Sequence, residues 1–218
     1  MRIITFNCPG ENGFDIDQFG SFDIFFIQRC PASMLIPYPH YYTENYPHAG
    51  LCIVSKDYPL DVNVAVGQFS WYADVSSYSQ GKHWQTFSIT VPTSVGDMPC
   101  KFINALPSYP TDEQGTIITD KERILQTKEL LDLMDINSVL VGDFHSKDEF
   151  LEDEIKLEKR NLINHIKENT FTAPHGDDSI DKIITTKESP ILISNVSVIK
   201  YERHFDMGHW PIKFDLIM

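Results

Sequence analysis

An α/β domain is the fold the sequence predicts, on three grounds. Short runs of branched and aromatic residues, such as Asp23-Ile24-Phe25-Phe26-Ile27-Gln28 and Val139-Leu140-Val141, read as strands buried on both faces. Residues 120–134 instead carry an apolar stripe of period 3.6, formed by Ile124, Thr127, Leu131 and Met134 and widened by Leu130, and this helix feeds directly into the Val139 strand. The chain of 218 residues is 42% hydrophobic, enough for one sizeable core, and no linker, repeat or composition break divides it, so one domain over 1–218 is expected.

Residues 2–6 alternate into a first strand that ends at Asn7, where Cys8-Pro9-Gly10 stops it. After the second strand, Pro31 and Pro37 bracket a segment with room for a short helix. Tyr38, Tyr41, Tyr42 and Tyr46 then read either as a base-stacking surface or as rings covering a sheet edge. The runs 48–55, 62–71, 83–91 and 101–105 are antiparallel strand candidates, with a turn expected between Pro92 and Pro99. Thr119 or Asp120 can cap the helix that follows. A second helix is expected over 148–167, burying Leu151, Ile155, Leu162 and Ile166, with pairs such as Glu152 and Lys156 on its solvated face. Strands at 179–184, 191–201 and 211–217 complete the pattern.

Acidic residues outnumber basic ones 31 to 18, a formal charge of -13. Such a surface repels a phosphate backbone at long range and argues against a protein that coats DNA or RNA. It leaves room for a nuclease, because clustered carboxylates bind metal ions that reverse the local potential, and it equally suits a basic protein partner. No apolar run approaches the roughly 20 residues that span a bilayer, and the first residues already form a strand pattern. Cys8, Cys30, Cys52 and Cys100 sit in or beside apolar runs without a short pair, as reduced packing residues do. A monomer in the cytoplasm or another intracellular compartment, with no membrane association, is expected.

The chemistry concentrates at Ser138-Val139-Leu140-Val141-Gly142-Asp143-Phe144-His145-Ser146. The buried strand delivers Asp143 and His145 to its carboxyl end, where open α/β sheets keep their ligand sites. Two residues apart, these side chains point the same way if strand geometry persists, which suits a divalent metal or proton handling. An Asp and a surface His in an ordinary turn is the alternative.

Five stretches in order then resemble the motifs of the endonuclease/exonuclease/phosphatase superfamily. They are Ile4-Thr5-Phe6-Asn7, Asp23-Ile24-Phe25-Phe26-Ile27-Gln28-Arg29, Val139-Leu140-Val141-Gly142-Asp143-Phe144-His145, Ser179-Ile180-Asp181-Lys182-Ile183-Ile184 and Gly208-His209-Trp210-Pro211-Ile212. Arg123 and Gln126 resemble the Arg and Gln on the helix before the fourth family strand. The resemblance implies a DNase I-like four-layer α/β sandwich, two mixed β-sheets packed face to face with outer helices. It also implies divalent-metal-dependent phosphodiester or phosphomonoester hydrolysis, with Asn7, Asp143, Asp181 and His209 in the catalytic set. Asp143 matches the residue that orients or activates the attacking water, and Asp181 the partner of the catalytic His209.

The sequence departs from that pattern at four positions. The family Glu after the second strand falls at Arg29, which cannot ligate a cation, and the Asp before the last His falls at Gly208. The Asn two after Asp143 is His145, and the middle-strand His falls at Leu106, although Asn104 is retained. Two readings follow. In the first, the site is rebuilt: Asp143, His145 and His209, with Asp206 as a candidate replacement carboxylate, bind Mn²⁺ or Zn²⁺ in preference to Mg²⁺, while Arg29 and Asn104 bind the nucleic-acid or nucleotide substrate. In the second, the fold is retained without hydrolysis and without a metal, as a module that binds nucleic acid, a nucleotide or a protein.

Overall fold

The computed structural model describes residues 1–8, 14–46, 49–70, 83–94, 96–107, 120–173, 176–200 and 208–217. In chain order its first strands are β1 (Arg2–Asn7), β2 (Ile24–Pro31), β3 (His40–Tyr46), β4 (Ala49–Ser55), β5 (Val64–Gln68), β6 (His83–Thr93) and β7 (Gly96–Ala105). Helix α1 (Asp120–Asp132) leads into β8 (Ser138–Asp143). The chain continues through β9 (Leu162–Asn164), β10 (Phe171–Ala173), β11 (Gly176–Asp178) and β12 (Asp181–Thr186). It ends with β13 (Leu192–Val198), β14 (Gly208–His209) and β15 (Ile212–Ile217).

Two six-stranded sheets, ordered β13-β15-β1-β2-β4-β3 and β5-β6-β7-β8-β12-β9, carry the fold, with β11-β10-β14 as a small third sheet. The pairs β1–β2 and β7–β8 run parallel among otherwise antiparallel neighbours, so both large sheets are mixed. Strand alternation sorts the apolar residues into three slabs. Ile3, Ile24, Phe26 and Phe214 of the first sheet meet Phe87, Phe102, Val139, Val141 and Ile183 of the second in the central slab. Ile4, Phe6, Phe25 and Ile27 point the other way, onto Ile16 and Phe19 of a short 3-10 turn. Ile103, Leu140 and Ile184 face outward from the second sheet onto Leu130 and Leu131 of α1 and onto Leu151 and Ile155. The result is the expected four-layer α/β sandwich. All four cysteines are free and buried, and no helix among the described residues is long and apolar enough to cross a membrane.

Local structure departs from expectation where chain geometry overrides the apolar pattern. The helix expected over 148–167 is absent: a helical turn at Asp148–Phe150, a π turn at Leu151–Ile155, a 3-10 turn at Glu158–Arg160 and strand β9 stand in its place. Lys156 (φ 61°) and Asn161 (φ 59°) adopt left-handed backbone, which ends each turn, while Leu151, Ile155, Leu157 and Leu162 still bury against the second sheet. No helix forms between Pro31 and Pro37, because Pro31 continues β2 by pairing with Ala49, and only a turn follows at Ala32 and Ser33. The Pro92 to Pro99 region belongs to a long hairpin, β6 pairing with β7 as far as Thr93 opposite Gly96. The tyrosine-bearing segment, expected to cover a sheet edge as a stiffened loop, itself forms the edge strand β3 from His40 onward. Trp71 and His48, at the ends of two expected strands, lie outside the described residues.

Gly142 is where close packing demands glycine. A Cβ there would run into the carbonyl oxygen of Ala105 on β7, its partner in the parallel pair. Gly142→Ala is expected to destabilise the fold by about 2–3 kcal/mol. Equilibrium urea unfolding checks this, and an unchanged midpoint would contradict the packing.

Candidate active site

The inner faces of the sheets change character along each strand. On β1 the inward residues run Ile3, Thr5, Asn7, and on β2 they run Ile24, Phe26, Gln28. On β7 they run Cys100, Phe102, Asn104, and on β8 Val139, Val141, Asp143, while antiparallel β12 begins its inward series with Asp181. Apolar residues thus fill one end of the space between the sheets and polar ones the other. Asn7, Asp143, Asp181 and His209 are all buried at this polar end.

Their contacts form a continuous chain. Asp143 and Asp181 lie directly opposite each other on β8 and β12. Asn7 Nδ2 donates to Asp143 Oδ2 at 2.7 Å and lies 3.0 Å from His209 Nε2. His209 Nδ1 approaches both Asp181 oxygens, at 3.0 and 3.1 Å. An amide donor at Nε2 and a carboxylate at Nδ1 describe one tautomer, a neutral ring with its proton on Nδ1 and a lone pair on Nε2. His145 reaches Asp143 twice: its backbone N–H donates to Oδ1 at 2.7 Å and its ring Nδ1 lies 2.9 Å from Oδ2.

Electrostatics follow from this packing. Burial alone would raise the Asp143 carboxyl, but the His145 and His209 rings and the hydrogen bonds from His145 hold it well below the usual carboxylate range. Burial alone would lower the basicity of His209; Asp181 and Asp143 outweigh it and raise the ring above its ordinary value, with Arg29 pulling the other way. Asp143 therefore stays ionised at neutral pH, suited to binding a cation or accepting a hydrogen from water.

Solved structures share this architecture. An endonuclease/exonuclease/phosphatase family protein from Leptotrichia buccalis aligns over 100% of both chains with a TM-score of 0.64 and 11% identity. The fold is that of the endonuclease/exonuclease/phosphatase superfamily. A 3'-5' exonuclease from Neisseria meningitidis (TM-score 0.60, 17% identity, 99% of each chain) shares it. So does a mannosyl-6-phosphatase from Bacteroides thetaiotaomicron (TM-score 0.59, 14% identity, 100% of each chain). Neither a family model nor a curated protein matches the sequence.

Within the endonuclease/exonuclease/phosphatase fold, the departures from the family pattern take physical form. Arg29 sits in a β-bulge: Ile27 pairs with Cys52 and Cys30 with Gly50, leaving Gln28 and Arg29 together opposite Leu51. Its backbone is left-handed at φ 54°, its side chain is half-buried, and its charge reaches His209. His145, also left-handed at φ 48°, is held by Arg123 of α1, whose Nη1 donates to its carbonyl at 2.6 Å while the guanidinium lies over the Phe150 ring.

Asn104 lies below the site rather than in it. Its side chain is enclosed between the sheets, where Gln28 Nε2 donates to its Oδ1 at 2.7 Å and its own Nδ2 donates to Gln85 Oε1 at 3.1 Å. These amide contacts join the two sheets at Asn104, the residue expected to bind substrate. The ligand atoms that converge, all within 4.8 Å of one another, belong to Asp143, Asp181 and His209. His145, expected as a ligand, packs its ring on Asp143 beside this group. Asp206 lies outside the described residues.

The converged set fits a metal ion. It offers two carboxylates and an imidazole, and Asn7 Oδ1 beside it is a buried acceptor with no hydrogen-bond partner among the described residues. Sequence reasoning missed Thr170, whose Oγ accepts the backbone N–H of Asp181 at 3.2 Å and whose carbonyl accepts that of Trp210 at 2.7 Å. Thr170 thereby ties the Asp181 and His209 strands together, and Phe171 packs its ring 4.8 Å from the His209 ring. No sequence signal marks a threonine in a loop for this part.

Because Asp181 is the foremost influence raising His209, Asp181→Asn is expected to lower the ring's pKa. Imidazole proton NMR titration of metal-free protein checks it. An unmoved His209 resonance curve would remove Asp181 as its electrostatic partner.

Proposed function

We propose that the chain is a divalent-metal-dependent phosphoric ester hydrolase acting on a phosphodiester of a nucleic acid or nucleotide. The observation that carries the reading is the buried chain Asp181–His209–Asn7–Asp143, assembled from strands far apart in sequence. Support also comes from the names of two proteins of the same fold, an exonuclease and a mannosyl-6-phosphatase, both hydrolases of phosphoric esters.

Asp143, Asp181 and His209 would hold the ion, which when bound stabilises charge on the phosphoryl oxygens and lowers the pKa of a bound water. One imidazole beside two carboxylates favours Mn²⁺ or Zn²⁺ over Mg²⁺. Asp181 fixes the His209 tautomer, so that Nε2 presents its lone pair toward Asn7 and Asp143. Asp143, kept ionised by its imidazole neighbours, orients the attacking water by accepting a hydrogen. Arg29 binds the phosphoryl oxygens through its planar donors.

A second reading rests on a specific observation. Both Asp143 oxygens already accept protein donors, and a guanidinium stands where the family places a carboxylate. On that reading the site binds its ligand without turnover, and the charge of -13 suits a basic protein partner.

Turnover separates the two. Single-stranded and duplex DNA, RNA, abasic DNA and small phosphodiesters, assayed with Mg²⁺, Mn²⁺ or Zn²⁺, are expected to reveal an activity that falls about 10²-fold or more in Asp143→Ala and His209→Ala. Arg29→Ala is expected to raise KM more than it lowers kcat. Turnover no greater than that of Asp143→Ala on every substrate would replace the hydrolase reading with the binding one.

A further inference from the structure

We infer that Arg29 makes this site a phosphate-binding position that works without a metal ion, so that anion capture and metal-assisted chemistry depend on separate positive charges. The inference deepens the hydrolase reading and takes its pocket from that reading.

Three observations carry it. First, the bulge places Arg29 deliberately. Along β2, Ile24, Phe26 and Gln28 face the inter-sheet space and Phe25 and Ile27 face outward, yet Cys30 also packs outward, so Arg29 is the residue by which the alternation is shifted. A bulge at a strand end re-aims a side chain, and Arg29 is held there with left-handed backbone. Gln28, the residue before it, is in register with Asn7, whose amide touches Asp143 and lies beside His209.

Second, Arg29 differs from its peers. Among the described arginines, Arg2 and Arg160 pair with Asp215 and Asp132, and Arg123 donates to the His145 carbonyl. Arg29 has neither an ion pair nor a hydrogen bond to a described residue, although acidic residues outnumber basic ones 31 to 18 in the chain. A half-buried guanidinium with no carboxylate partner among the described residues can pair with an external anion, and its fork of N–H donors matches two phosphate oxygens.

Third, the neighbouring carboxylates are already engaged. Asp143 accepts from Asn7 and from the His145 backbone, and Asp181 from His209, so neither depends on Arg29 for compensation. The guanidinium charge remains available to a ligand. That ligand is a phosphoryl group, held by Arg29 whether or not an ion occupies the Asp143, Asp181 and His209 cluster.

Titration calorimetry with inorganic phosphate tests this, on the full chain in EDTA and again with Mn²⁺. The wild-type protein is expected to bind phosphate in EDTA. Arg29→Asn, whose side chain tolerates left-handed backbone, is expected to weaken that binding about tenfold or more, and Arg29→Lys by less. Phosphate binding that appears only with Mn²⁺, or is unchanged in Arg29→Asn with a wild-type circular dichroism spectrum, would overturn the inference. The EDTA measurement on wild type decides even if the asparagine variant does not fold. Hydrolysis of bis-para-nitrophenyl phosphate, measured in parallel with Mn²⁺, keeps the two readings apart. Turnover with strictly metal-dependent phosphate binding removes this inference alone, whereas metal-free binding without turnover upholds it and removes the hydrolase.

Discussion

The gap between the two sheets is apolar at one end and polar at the other, and such a gap holds only if the polar groups driven into it find partners there. Amides meet most of that demand, with Gln28 Oε1 and Asn7 Oδ1 left without a hydrogen-bond partner among the described residues. Gln28 of one sheet donates to Asn104 of the other at 2.7 Å and to Thr5 at 3.1 Å; Asn104 donates to Gln85, and Gln85 returns across the gap to Thr43 at 2.9 Å. Loss of one member would strand a buried amide at a cost of about 1–3 kcal/mol. The bridge also fixes the site above it. Gln28 is in register with Asn7, and Asn104 with Val141, two residues before Asp143.

Two carboxylates directly opposite each other on neighbouring strands would repel if nothing stood between them. His209 interposes an imidazole that contacts Asp181 and lies 3.5 Å from Asp143, and Asn7 adds a neutral donor. Lys182, buried on the opposite face of β12, contributes its charge from behind, held by Asp148 at 2.6 Å and the Ser179 carbonyl at 2.7 Å. Burial depresses this lysine's pKa, and Asp148, Asp181 and Asp143 oppose that effect. The same salt bridge anchors the segment that follows His145. Charge compensation and loop placement are one arrangement here, and α1 completes it through Arg123.

Much of this was legible in the sequence, and the illegible parts have physical reasons. Strands β1, β2, β8 and β12 announce themselves because burial on both faces requires unbroken branched and aromatic runs, and each carries one polar residue, Asn7, Gln28, Asp143 or Asp181, that the fold turns inward at the polar end of the gap. Asn7, Asp143, Asp181 and His209 stand in the order the family motifs require, so their convergence could be anticipated. The segment 148–167 could not be read correctly, because successive tight turns can bury leucines and isoleucines at the same spacing as a helix. Its interruptions fall at Lys156 and Asn161, where no glycine or proline warns of them. The bulge at Arg29 is silent for the same reason. Asn104 was legible as a polar residue in a strand, but its depth between the sheets depends on partners on β2 and β6 that only the assembled fold brings near.

The bulge has a consequence for how such a site changes. A point substitution at a strand end alters one side chain and leaves its direction intact. A change of length by one residue reverses the direction of everything beyond it until the strand ends. At Arg29 the reversal is already spent within three residues, since β2 closes at Pro31. At the carboxyl end of β2 one residue is therefore accommodated, and a charged group redirected, without disturbing the hydrophobic interior.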